Sequence, residues 1–247
     1  MTADAGLRLN KYLSDRGLCS RREADAWIAA GRVAVNGAVA TLGTRVAPAD
    51  EVRVDGAPLG DPTRHVYIAL HKPVGVECTT DQRVPHNIVD FVAHRERVFP
   101  VGRLDKDSEG VILLTNDGDI VNALLRAEHG HEKEYLVTVD RPVTDEFVAA
   151  MAGGVVILDT KTAACEVARV SKNVFRIVLT QGLNRQIRRM CDALGYTVRR
   201  LVRVRFVNVR LEGIEPGRWR NLTRAELTGL LPQRLSSEPR ASAGASR

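Results

Sequence analysis

Beyond Val66 the chain passes through β-rich segments faster than through helical ones. VYIALHKP, RVFPVG, EKEYLVTVD, TAACEVARVS, FRIVLTQG and VRFVNVRLEGI are spaced by helical patterns at DIVNALLRA, TDEFVAAMAGG, NRQIRRMCDALG and TRAELTGLL. Strands outnumber helices, and the order never settles into strand–helix–strand alternation. That argues against a doubly wound parallel sheet and predicts an α+β domain on a mainly antiparallel sheet. Hydrophobic residues make up 44% of the chain but aromatic ones only 4%, so the core must be mostly Val, Leu, Ile and Ala.

Residues 7–58 read as a small unit of their own. LRLNKYLSDRG is a short amphipathic helix around Leu7, Leu9 and Leu13, ended by Gly17. Ser20 caps a second helix, and Glu23 three residues later completes a capping box. Ala24, Trp27 and Ile28 form its apolar face. RVAVNGAVAT alternates around Asn36-Gly37, the signal of a type I′ hairpin, and EVRVDG supplies one more strand. Residues 59–65 are expected to be a linker, 66–235 the second domain, and 236–247 a disordered polar tail too short to act as a long basic RNA-binding extension.

The four cysteines, Cys19, Cys78, Cys165 and Cys191, are far apart and form no CxxC or Cys/His cluster. Neither a zinc site nor a disulfide framework is expected, and free thiols suit a reducing cytoplasm. No apolar leader and no membrane-length window appears, so the expectation is a soluble cytoplasmic protein without membrane contact. No coiled-coil or strand-swapping pattern appears either, which predicts a monomer.

A net charge of +6 suggests a polyanionic partner. Eleven arginines fall between Gln181 and Arg224, against only Asp192, Glu212 and Glu215. On the helix expected from Asn184, Ile187, Met190, Cys191 and Leu194 share one face. Arg185 and Arg189 project from the other, with Arg188 at the boundary. Such a face is either solvated, with an Arg188–Asp192 pair, or a phosphate-binding surface, for which the planar arginine fork is well shaped. Arg8, Lys11, Arg21 and Arg22 form a second basic cluster near the N-terminus. Two basic sites on one chain point to nucleic acid, the small unit raising the effective concentration of the large one. Composition favours RNA over DNA.

The stretch GRLDKDSEG, ahead of the apolar run VILLT, admits three readings. Asp105, Asp107, Glu109 and Gly110 open like a calcium loop, but the twelfth position is Asn116 instead of a bidentate Glu, and no helix enters. Ordinary turn chemistry is a second reading. In the third, Asp105 is a nucleophile or base kept ionised by a guanidinium.

GRLDKDSEGVILLTNDGD closely resembles the signature of the RsuA-type pseudouridine synthases. The resemblance continues through KPVGVECTT, HEKEYLVTV and QGLNRQIRRMCDALGYTVRRLVRVR, and LRLNKYLSDRGLCSRREADAWIAAGRVAVNG is similar to an S4 RNA-binding domain. Nearly the whole chain, from about Leu7 to Leu231, is covered in the family's order. Within the family, RVFPVGRLDKDSEGVILLTNDGD and HEKEYLVTVD look most like the RluF branch, which modifies 23S ribosomal RNA.

The resemblance implies an antiparallel sheet with flanking helices and a central cleft, preceded by the S4 domain. It implies isomerisation of a uridine to pseudouridine without a cofactor or metal, with ribosomal RNA, most naturally 23S, as the partner. Asp105 matches the essential aspartate. Arg188 matches the arginine that pairs with it, and Tyr135 the tyrosine that stacks on the target uracil. Arg103 is a candidate for the space vacated by an extruded base, or for a phosphate contact. Arg185, Arg189 and the N-terminal cluster Arg8, Lys11, Arg21 and Arg22 are expected to hold RNA by shape and backbone. Two alternatives stay open: the same chemistry on 16S or another RNA, and a non-catalytic S4-type RNA-binding or ribosome-assembly factor.

Overall fold

The computed structural model describes residues 6–60, 64–125 and 130–230. Part of the expected linker, the last residues of the expected second domain and the expected tail therefore lie outside the described residues. The chain divides into two compact units. One comprises Met1–Val66 with Arg95–Arg97 and Asn116–Gly118; the other comprises Tyr67–His94, Val98–Thr115 and Asp119–Arg247.

The first unit runs β1 (Leu7–Arg8), α1 (Leu9–Asp15), α2 (Arg21–Ala29), β2 (Val33–Val35), β3 (Ala38–Val39), β4 (Arg45–Val46), β5 (Val52–Val54) and β6 (Ala57–Pro58). Leu7, expected in the first helix, instead pairs in β1 with Val46 of β4. Its side chain stays exposed, while Leu9 and Leu13 turn inward with Ala24, Ile28, Val33 and Val52. The Ser20 hydroxyl accepts from the Glu23 amide, and the Glu23 carboxylate accepts from the Ser20 amide at 2.6 Å. A cap of this kind stabilises a helix end by about 1 kcal/mol. Asn36 and Gly37 both take positive φ, 51° and 82°, as a two-residue type I′ hairpin requires.

The second unit is built on one nine-stranded sheet. Its elements are β7 (Tyr67–Lys72), α3 (Ile88–Val92), β8 (Phe99–Val101), β9 (Glu109–Thr115), α4 (Gly118–Leu125), β10 (Lys133–Val139) and α5 (Asp145–Ala152). A small hairpin, β11 (Val156–Ile157) and β12 (Thr160–Lys161), precedes β13 (Glu166–Ser171), β14 (Val174–Leu179) and α6 (Gln186–Ala193). The chain then forms β15 (Val198–Phe206), β16 (Val209–Arg210), β17 (Trp219–Asn221) and α7 (Arg224–Leu230). The strand order is β13-β14-β10-β15-β9-β7-β17, with β16 on β15 and β8 on β9. The α+β expectation holds, because among the described residues every strand pairing of this sheet is antiparallel except β15 with β9.

That parallel pairing is a seam. It consists of Val202 opposite Glu109 and Arg203 opposite Gly110. Further along the same edge of β9, β8 takes over, with Val101 opposite Leu113. Residues 102–108, which join β8 to β9, emerge where the two neighbours of β9 part. Each half of the sheet has its own core. Val137, Phe175, Ile177 and Leu201 pack under Phe147 and Met151 of α5 and Ile187, Met190 and Cys191 of α6. Ala69, Val111, Leu113 and Phe206 pack with Ile120 and Leu124 of α4 and Leu230 of α7.

Two further boundaries differ from the sequence reading. The strand expected from Val204 begins at Val198 and turns at Val207, whose φ is 53°. The helix expected from Asn184 begins at Gln186, with Arg185 left-handed at its N-cap. The apolar run after the acidic turn is β9, buried along almost its whole length because β7 lies on one side and β8 and β15 on the other.

Candidate active site

A cleft of about 410 Å³ opens over the seam, lined by Gly102, Arg103, Asp105, Ser108, Lys133, Tyr135, Gln181, Asn184, Arg185, Arg188 and Arg203 among others. Its acidic wall is the 102–108 turn, closed by the Ser108 amide donating to the Asp105 carbonyl at 3.0 Å. Leu104 is buried and its amide donates to Cys78 Sγ, while the Lys106 carbonyl accepts from the Gly75 amide. The backbone is thus held on both sides of Asp105, whose side chain stays about one-third exposed.

Two arginines at the start of α6 face this turn. Arg185 donates from Nη1 and Nη2 to the two carboxylate oxygens of Asp107, at 3.1 and 2.9 Å, and its Nη1 lies 3.9 Å from Asp105 Oδ2. Arg188 donates from Nη2 to the Asp107 carbonyl at 2.8 Å and to the Ser108 hydroxyl, with Nε 3.3 Å from the Asp107 carboxylate. Arg188 therefore turns inward to the turn, as its boundary position on the helix allows. It meets Asp107 and neither Asp192 nor Asp105; the cation placed nearest Asp105 is Arg185. The Arg185 hydrogen bonds hold the Asp107 carboxyl below its usual value and raise the arginine's own. Both changes follow from mutual stabilisation of the charged forms.

Tyr135 stands half-buried on β10, opposite Ile177 of β14 and Arg203 of β15. Its ring packs on the first core cluster and also lines the cleft. Lys133, two residues earlier on the same face, lines it as well and donates to the Thr180 carbonyl at 2.9 Å. Burial, and then the charge of Arg203, lower the Lys133 pKa. Behind the turn, Lys72 is wholly buried and donates to the Pro73 carbonyl; burial lowers its pKa against the attraction of Asp105 and Asp107.

The remaining expected residues are dispersed. Arg103 is exposed and lines the cleft. Arg189 folds back onto Asn184, donating to its carbonyl and side chain at 3.1 and 3.2 Å, and is absent from the cleft lining. In the first unit Arg8, Arg21 and Arg22 are exposed, and Lys11 pairs with Asp15 at 2.6 Å. Many arginines of the basic last third are engaged within the fold: Arg200 with Glu109, Arg205 with Glu132 and Glu134, Arg220 with Glu226. Sequence reasoning passed over Lys133, Lys72 and the clamping role of Asp107. The i, i+2 spacing of Lys133 and Tyr135 is the signal that would have found the first. No helix among the described residues is long and apolar enough to cross a membrane, and no group of three or more His, Cys, Asp or Glu among them could hold a metal ion.

Comparison with known proteins bears on this geometry. Residues 66–193 match the family model described as RNA pseudouridylate synthase, and residues 7–52 match that of the S4 domain. The chain is 55% identical over 243 residues to the dual-specificity RNA pseudouridine synthase RluF of Escherichia coli K12, covering 96% of this chain and 83% of that protein. It is 33% identical over 232 residues to the ribosomal large subunit pseudouridine synthase B of Bacillus subtilis, covering 90% and 95%. A solved pseudouridylate synthase superposes with a TM-score of 0.66 at 29% identity, covering 91% of this chain and 99% of that one.

Proposed function

From the chain's membership of the RNA pseudouridylate synthase family, with an S4 domain ahead of the synthase domain, we propose that it isomerises a uridine of 23S ribosomal RNA and that Asp105 is its catalytic carboxylate. The enzyme is an RNA pseudouridine synthase. The observation that supports the role of Asp105 is its place in the cleft wall: a carboxylate on an anchored turn, partly open to the cleft, with the Arg185 guanidinium 3.9 Å away.

The reaction breaks the N1–C1′ bond, turns the uracil and joins C5 to C1′. C5 gives up a proton, N1 gains one, and there is no net redox change. A carboxylate at Asp105 can meet the electron demand at C1′ or take a proton from the sugar, and both roles need it ionised. Tyr135 presents a π-face for the target ring and a hydroxyl for a proton at C5. Arg188 positions the turn through Asp107 and Ser108. Arg103, exposed at the rim, is suited to the gap left by the extruded nucleotide, whose unstacking costs about a few kcal/mol. Residues 7–58 grip the RNA backbone with Arg8, Lys11, Arg21 and Arg22 while 66–235 carry out the chemistry.

The relative named for the large ribosomal subunit supports 23S RNA as a target. The dual specificity in the name of the E. coli relative supports a second RNA substrate of this chain, 16S ribosomal RNA among the candidates. Cytoplasmic residence follows from such substrates, and a monomer suffices because the cleft is complete within one chain.

The test uses ribosomal RNA from cells lacking this protein, complemented with wild type or with Asp105→Asn. Pseudouridines are mapped by carbodiimide modification and primer extension. A 23S stop restored by wild type and not by Asp105→Asn is expected. Restoration by the variant would return Asp105 to the status of a turn residue, and a stop outside 23S RNA would replace the proposed target.

A further inference from the structure

Arg203 is the one guanidinium of the cleft that the reaction scheme above does not use. Its side chain is buried in the seam, 3% exposed. Nε donates to the Val111 carbonyl at 2.7 Å, and the guanidinium lies 5.3 Å from the centre of the Phe206 ring. Nη2 is sealed from solvent and has no hydrogen-bond partner among the described residues, and no carboxylate among them pairs with the group. A guanidinium does not shed its proton, and leaving it buried without a counter-charge is costly. Lys133 lines the same cleft. Such a floor favours an incoming partner with negative charge.

We propose that Arg203 is a substrate-binding catalytic residue whose guanidinium, at the cleft lining, donates to a carbonyl oxygen of the target uracil and holds the ring while it is anionic. The proposal rests on the isomerase reading. When N1–C1′ breaks, the bonding pair stays with the ring, so the uracil carries one negative charge shared among N1, O2 and O4. The deficit at C1′ is met by a bond to the Asp105 carboxylate or by loss of a sugar proton. C5 then attacks C1′, displacing the Asp105 carboxylate in the first route or with return of the abstracted proton to the sugar in the second; the C5 proton leaves, N1 takes up a proton and charge is restored. The anion exists only between the two bonds, and the ring must stay in the cleft and turn during that interval. A donor fixed beforehand in a water-poor place stabilises such transient charge far better than solvent.

Position distinguishes the ring from a phosphate as the partner. Arg203 lies directly opposite Tyr135 across the strand pair, where side chains stand roughly 5 Å apart. A pyrimidine stacked on that tyrosine brings its edge oxygens to the neighbouring strand. A hydrated phosphate would meet exposed Arg103 and Arg185 at the rim first.

The test measures tritium release from an RNA fragment carrying [5-³H]uridine at the target, in single turnover with the full-length protein. Arg203→Met is expected to slow release by about 100-fold, the scale of losing one oxyanion donor, with RNA affinity within about twofold of wild type. With 5-fluorouridine at the target, whose ring anion is intrinsically more stable, the deficit in loss of the parent nucleoside is expected to shrink to about tenfold or less. If wild type releases no tritium, the isomerase reading itself fails. If wild type is active and Arg203→Met matches it, or its deficit is the same for both rings, the role of Arg203 falls. Weakened RNA binding at an unchanged rate would make it a phosphate contact. Should circular dichroism show Arg203→Met unfolded, Arg203→Lys keeps the charge but shifts the donor. It must then lose at least about tenfold in rate at unchanged affinity, and a wild-type rate would overturn the proposal.

Discussion

A β-carbon built on Gly110 would lie 2.3 Å from the carbonyl oxygen of Arg203, inside any permitted contact. The parallel seam closes only because residue 110 has no side chain. Its φ of 121° is also a conformation other residues rarely adopt. Gly110→Ala is expected to destabilise the protein by about 3 kcal/mol or more through strain and overpacking together. Urea unfolding reads this directly. A midpoint equal to wild type would mean that the seam yields without resistance.

Glu226 closes α7 with the same reciprocal device that Ser20 and Glu23 provide for α2. Its carboxylate accepts from the Thr223 amide and from both terminal nitrogens of Arg220, at 2.8 and 2.7 Å. These bonds, the Arg220 pair foremost, lower its pKa to about 2. A lowered acid pKa contributes stability that is present above the ordinary value of 4.5 and lost as pH falls through the folded one. Glu226→Gln should therefore cost on the order of 1–2 kcal/mol at neutral pH. The gap from wild type should narrow as pH falls below 4.5 towards 2. A gap independent of pH would locate the effect in side-chain shape instead of charge.

Burial pushes the Cys191 thiol up to about 12 and Cys19 to about 11, with Cys78 and Cys165 raised as well. Thiolate is the reactive form. The native protein is expected to react slowly with an aromatic disulfide reagent near neutral pH, and all four cysteines rapidly in denaturant. Rapid modification of Cys191 in the native state would show that α6 opens locally.

Arg21 and Arg22 are exposed on the first turn of α2. Replacing both with Ala is expected to weaken RNA binding by about tenfold at low salt and to flatten the slope of log K against log salt by about one to two. The loss in kcat/KM should follow the loss in affinity. An unchanged slope would remove this helix from the RNA-binding surface.

What could be read in the sequence was what neighbours determine. The Ser20–Glu23 box and the Asn36-Gly37 turn are written within four residues, and the number and order of the strands argued against a doubly wound sheet. The cleft was legible only as an ordered series of motifs. Arg185 reaches Asp107 across 78 residues, and Arg203 reaches Val111 across 92. Local pattern carries no trace of such meetings. The same distance hid the true start of β15. Its arginine-dense opening reads as surface until Glu109, brought from another strand, takes up Arg200.

The seam also has a meaning in time. Asp105 and Tyr135 leave the ribosome well before Arg203, yet β9 has no neighbour to complete the floor until β15 is made and docked. Closing so long a loop costs entropy that is recovered only when both half-cores have formed. A partly synthesised or partly folded chain thus carries the carboxylate and the tyrosine without a place for uracil to lie. On the function proposed above, grip on RNA through the small N-terminal unit comes first, and the ability to break a glycosidic bond arrives only with the finished sheet.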